Sequence, residues 1–148
     1  MLVNAHEVPK KVEYTQGKKL VSFNVKEVDK DGEIHYEFHR LKLPVDTDSA
    51  TTTMLVNKEK TKIVDAEIKA LAQDYSESEK GTFWIQEQEA KNYRAGIDDV
   101  SFITKLANTR GITVDELVTK IEGNSTALRE ATAVMLGKYQ ASLSEVFE

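Results

Sequence analysis

Three metal-ligand-type side chains alternate along one short stretch, His35-x-Glu37-x-His39. In an extended chain alternate residues share a face, and neighbours on that face lie about 6.7 Å apart, a spacing that suits two ligands of one ion. The outer pair, His35 and His39, would be separated by roughly 13 Å, too far for a single metal. Asp29-x-Asp31-Gly32 repeats the opening of a calcium-binding loop, which needs glycine at its sixth position and glutamate at its twelfth. Counted from Asp29, those places hold Ile34 and Arg40. No metal centre is expected from either arrangement. Trp84, with Phe83 and Tyr93, has the aromatic content of a ligand-stacking box, but aromatics at this helical spacing read as core or interface residues. The acidic run Glu77, Glu79, Glu87 and Glu89 reads as solvated surface.

Catalytic machinery is not in view. The chain has no nucleophile elbow, P-loop, dinucleotide fingerprint or H-E-x-x-H pair. It holds three histidines and no cysteine, so disulfides, thiolate metal sites and cysteine nucleophiles are all ruled out. A non-enzymatic protein without a cofactor is expected. Apolar residues make up 40% and charged residues 30% of 148 positions, ordinary values for a folded domain. The N-terminus lacks the basic and apolar regions of a signal peptide, and no apolar run reaches membrane-spanning length. The net charge of −5 is uneven: residues 1–44 carry +1 and residues 45–148 carry −6. An acidic half repels phosphate, which disfavours a nucleic-acid partner.

These residues sit on elements that divide near Pro44. Upstream, Val21, Phe23 and Val25 alternate with polar residues, as do Ile34, Tyr36 and Phe38 after the break at Asp29-Lys30-Asp31-Gly32. A hairpin with a four-residue turn ending at Gly32 is predicted. Pairing Val28 with Glu33 would set Val25 opposite Tyr36, Phe23 opposite Phe38 and Lys26 opposite His35, where a cation would oppose a metal. Lys11 to Thr15 is a shorter candidate strand ending at Gln16-Gly17, while His6 lies in a start to which no element is assigned. A lone hairpin is marginal in water, so its apolar face requires cover.

Downstream, Pro44 to Asn57 reads as a connector, followed by a first helix with Val64, Ile68, Leu71 and Tyr75 on one face. Ser76 to Gly81 reads as a loop. A second helix is expected from a Thr82 cap to just before Gly96, and a third from Asp98 or Asp99 to a glycine stop at Gly111. Thr113-Val-Asp-Glu116 is a capping box, with Ile112 and Leu117 placed as a hydrophobic staple. From it one helix should run from about Val114 nearly to the C-terminus, with a bend at Gly123. The fold class is therefore α+β: an N-terminal β-hairpin module over 1–44, then a helical half over 45–148 with a long last helix.

The helical blocks from Thr82 onward resemble a helical domain of unknown function that recurs beside tail-fibre genes in bacteriophages and prophages. Phe83, Gln86, Glu89, Ala90 and Tyr93 fall where that family has similar residues. So do Leu106-Ala107, Arg110-Gly111-Ile112, Leu117-Val118, Lys120-Ile121, Gly137 and Gln140. The family usually has a proline near Asp98-Asp99, which this chain lacks, so the link between the second and third helices should differ. The family has no assigned activity; the resemblance implies a phage-tail context and a tail-fibre or other tail protein as partner. An assembly chaperone, working in the host cytoplasm, and a virion subunit of fibre, collar or baseplate are the two forms that role could take.

Ala133, Gly137 and Ala141 recur every four positions on the last helix, a pattern that permits close approach of another helix. Met135, Tyr139, Leu143, Val146 and Phe147 add large apolar groups. A helix of about 34 residues would be roughly 50 Å long, more than shorter neighbours can cover. These eight residues form the expected partner or homo-oligomer surface.

Overall fold

β-Branched and aromatic residues alternating with polar ones build two long strands, and two short ones flank them. A computed structural model describes all 148 residues. The chain runs β1 (Leu2–Ala5), β2 (Val12–Thr15), β3 (Lys18–Lys30), β4 (Glu33–Pro44), α1 (Ser49–Leu71), α2 (Glu77–Ala95), α3 (Ser101–Arg110) and α4 (Val114–Ser142). The fold is α+β, with one antiparallel sheet in the order β1-β4-β3-β2. The strand expected at Lys11–Thr15 is β2, while β1 was not foreseen. It pairs with β4 from Leu2↔His39 to Ala5↔Tyr36, so the hairpin gains a strand on each side.

The hairpin register departs from expectation in two places. Lys30 pairs with Glu33, leaving a two-residue loop in which Asp31 and Gly32 both have positive φ, 57° and 85°. Asp-Gly in that conformation is a favoured type I′ turn, because its twist matches that of the strands. Gly32 N–H also donates to Asp29 Oδ1 at 2.9 Å, so the aspartate read as a calcium-loop echo serves the turn itself. The second departure is a bulge between Phe23 and Lys26, with Asn24 at φ 53°. It moves Val25 off the core face, so Phe23 lies opposite His39 and Lys26 opposite Glu37.

The helices follow their caps. Asp48 accepts from Thr51 N–H at 2.8 Å, so α1 starts inside what reads as a connector. Its buried residues are Thr52, Val56, Lys60 and Val64, four apart along one stripe. The segment Ser76–Gly81 is also not a loop. Ser76 and Glu79 form a reciprocal capping box, and α2 begins at Glu77. Gly96 and Gly111 close α2 and α3 in left-handed conformation, as expected. α4 starts at Val114 behind the Thr113–Glu116 box and passes Gly123 as helix, but ends at Ser142, so the last residues are not helical.

The chain forms two compact units: Met1–Val64 with Lys138–Glu148, and Asp65–Gly137. This division does not coincide with Pro44. The first unit packs Val21, Phe23, Leu43, Val56 and Phe147 into its core. In it Lys19 is buried, and its ammonium donates to Thr52 Oγ1 at 2.9 Å and to the Thr47 carbonyl at 3.0 Å. The second unit packs Ala90, Ile103, Ala107, Leu117, Val118 and Ile121.

Hydrogen bonds from Thr113 hold the Glu116 carboxyl below its ordinary value of 4.5, and those from Ser76 do the same for Glu79. A carboxyl whose folded pKa is depressed adds stability above its ordinary value, and that stability is lost as pH falls through the folded value. Replacing both, Glu79→Gln with Glu116→Gln, should therefore leave stability less sensitive to acid below pH 4.5, followed by chemical denaturation across a pH series. Thr113→Ala removes the cap oxygen and should cost about 1 kcal/mol in the same assay at neutral pH.

Candidate functional site

In the unit spanning Asp65–Gly137, α2 supplies polar groups that fix the neighbouring helices. Glu89 is only 8% exposed, and its Oε2 accepts from Ile103 N–H at 2.9 Å. That amide lies in the first turn of α3, whose own N-cap position, Val100, offers no side-chain acceptor. A carboxylate from α2 therefore caps α3, a role opposite to the solvated one read from the acidic run. Asn92 is buried beside it and donates to the Asp99 carbonyl at 2.9 Å. Glu87 accepts from Ser125 and Arg129 of α4. Arg94 reaches Asp115 at 2.9 Å and Glu122 at 3.0 Å. The Glu122 carboxylate, and after it Asp115, hold the Arg94 guanidinium above its ordinary pKa, and Arg94 in turn lowers Glu122.

The helices so fixed leave a groove of about 880 Å³ between them. Leu117 and Ile121, both buried, line it from α4, with Leu128 about two turns further along. Phe102 and Leu106 of α3 line it too. Leu71 and Tyr75, at and beyond the end of α1, line it together with Phe83, and the Tyr75 and Phe83 rings meet edge to face at 5.0 Å. Glu79, Glu87, Arg110 and Lys120 add both signs of charge. A volume of this size, apolar inside with a few polar groups, falls in the range of pockets that hold ligands or peptide side chains. The sequence marked Phe83, Leu106, Arg110 and Leu117 through the family pattern, but not the groove, which needs the packing of separate helices. Trp84 lies outside it and is 69% exposed.

The residues expected on a partner surface separate into three kinds. Ala133, Gly137 and Ala141 are exposed, and a Cβ added at Gly137 would meet nothing within 4 Å. A side chain there would meet open space, so close intrachain packing is not the reason for the glycine. Met135, Tyr139 and Leu143 are half-buried, with the Tyr139 hydroxyl 2.8 Å from Thr61 Oγ1. Val146 is exposed, but Phe147 is fully buried in the first unit's core. Phe147 is a core residue and is withdrawn from any partner surface; beyond Ser142 the chain folds inward instead of extending the helix.

The alternating ligand-type residues are not joined in one site. Glu37 pairs with Lys30 at 3.3 Å, and the His39 ring stacks on Phe23 at 5.7 Å. His35 lies opposite Val28, not Lys26. No helix is long and apolar enough to cross a membrane.

Glu89→Ala should leave the Ile103 amide buried without an acceptor and cost roughly 1–3 kcal/mol in urea denaturation. Glu89→Gln keeps an acceptor oxygen and should recover part of that loss.

No family model matches the chain, and no curated protein and no solved structure matches it.

Proposed function

We propose that this protein is a non-enzymatic, chaperone-like component of phage tail-fibre assembly that binds a fibre or other tail polypeptide through the groove of its Asp65–Gly137 unit. The observation that carries the reading is the groove's composition. Phe83, Leu106, Arg110, Leu117, Lys120 and Ile121 line it, and these are residues on which the expected resemblance to a tail-fibre-associated domain rests. An apolar trough flanked by charges of both signs suits an amphipathic segment of another chain, whose apolar face fills it and whose polar residues meet the flanking charges. Such binding shields apolar fibre segments before the fibre is complete and releases them when fibre chains pair with each other.

A second form of the same role is a retained fibre, collar or baseplate subunit that self-associates. It is favoured by the exposed Ala133, Gly137 and Ala141 stripe, with Val134 and Leu136 exposed nearby in sequence. Small residues four apart let a second helix approach closely.

The test is co-expression with the tail-fibre polypeptide of the phage or prophage that carries the gene, followed by co-purification. Phe83→Glu and Leu128→Glu, which place a charge in the groove, should each abolish capture while the protein remains folded by circular dichroism. Capture unaffected by both would rule out the groove as the binding surface. Mass spectrometry of purified virions separates the two forms, since a chaperone is absent from the particle and a subunit is present. In the subunit case Gly137→Leu should weaken self-association measured by light scattering.

A further inference from the structure

β1 and β4 pair in a register that runs from Leu2↔His39 to Ala5↔Tyr36. Carried one step past Ala5, it sets His6 across from His35. Residues opposite one another on antiparallel strands project to the same face with their Cβ atoms about 4.5–5.5 Å apart. The two imidazole rings accordingly lie 4.3 Å apart between centroids, tilted by 47°. Glu33 precedes His35 by two residues on β4 and so shares its face. Its Oε2 lies 3.8 Å from His35 Nε2. One ligand atom from each of His6, Glu33 and His35 falls within 4.8 Å of the other two.

We propose that His6, Glu33 and His35 form a binding site for a borderline transition-metal ion, with zinc the ion it suits. Two neutral imidazoles and one carboxylate are a recurrent protein ligand set for zinc, with water in the fourth position. Ligand atoms around a tetrahedral zinc sit roughly 3.4 Å apart, given bonds of about 2.0–2.2 Å. The present 4.8 Å span must therefore shorten by about 1.4 Å, within reach of small rotations about side-chain bonds. The side chains can make that movement. Glu33 is 74% exposed, His6 is exposed, and only His35, 18% exposed, is held by its neighbours. The Lys30 ammonium on this face is paired with a carboxylate other than Glu33. Lys30, across from Glu33, has its ammonium on Glu37 at 3.3 Å and Asn4 Oδ1 at 3.2 Å, Lys26 lies opposite Glu37, and uncharged Val28 lies opposite His35. Nitrogen donors favour zinc, copper or nickel over magnesium and calcium, which prefer oxygen.

The site differs from the one the alternating motif suggests. It shares His35 with that motif but takes its other ligands from the first residue of β4 and from the residue that follows β1. An ion there would pin β1 to the hairpin, so binding should also protect the backbone amides of residues 2–5 against exchange.

Isothermal titration of the tag-free full chain with zinc chloride tests the proposal, with His6→Ala, His35→Ala and His39→Ala variants each checked for folding by circular dichroism. One zinc per chain is expected, with affinity reduced at least about tenfold in His6→Ala and His35→Ala. His39→Ala should bind as the natural sequence does, and magnesium should give no heat. Should His35→Ala fail to fold, His6→Ala decides alone, because His6 is exposed. No zinc binding, binding untouched by His6→Ala, or binding lost equally in His39→Ala would each overturn the assignment.

Discussion

The buried ammonium of Lys60 ties the two chain segments of the first unit together. Lys60, in the middle of α1, is 1% exposed and donates two bonds of 2.6 Å, to the Ser142 carbonyl and to Glu145 Oε2. Taking a cation out of water costs several kcal/mol unless close partners replace the lost hydration. Here the partners are a carboxylate and the carbonyl at the C-terminal end of α4, where the helix dipole is negative. The same ammonium lies 5.3 Å from the centre of the Phe147 ring, and Lys11 lies 4.8 Å from it. Ser49 Oγ adds a bond to the Phe147 carbonyl at 3.0 Å. A unit made from two distant stretches of chain is thus joined by polar bonds around an aromatic plug. Its core could not close over Val21, Phe23 and Val56 without those last residues.

That arrangement accompanies an α4 that stops at Ser142, short of where its apolar spacing runs out. Leu143, Val146 and Phe147 continue the apolar spacing of α4, and periodicity alone extends the helix through them. At the helix end the Ser142 and Ser144 hydroxyls bond the Tyr139 and Ala141 carbonyls, and Lys60, from a distant part of the chain, takes the Ser142 carbonyl. The buried stripe of α1 was hidden for a related reason. Two of its members, Thr52 and Lys60, are polar, so the stripe does not register as apolar periodicity.

Local chemistry was legible wherever it is self-contained. The Thr113–Glu116 box and the glycine stops at Gly96 and Gly111 each need only a few consecutive residues, and each stands as read. Ser76–Glu79 has the same form but was obscured by its polar surroundings, and Asp31-Gly32 was absorbed into a longer turn. The α+β class followed from the change of period near Pro44. Features needing two distant segments were not legible. Glu89 finds its amide fourteen residues away on another helix. The groove needs α2, α3 and α4 together, and the His6–His35 pairing needs a strand whose four residues carry little signal of their own.

The bulge at Asn24 has a further effect on how this sheet behaves among other molecules. β2 covers only the first residues of β3, and the last bond along that edge runs from Ser22 N–H to the Lys11 carbonyl. From Phe23 to Lys30 the outer edge of β3 has no neighbouring strand. An edge of that length is a template on which a foreign strand could zip. The left-handed turn at Asn24 interrupts its straight run of donors and acceptors, and Lys26, Glu27, Asp29 and Lys30 follow with alternating blocks of charge. A second copy laid antiparallel about Val28 would set Lys26 against Lys30 and Glu27 against Asp29, like charges that oppose edge-to-edge pairing.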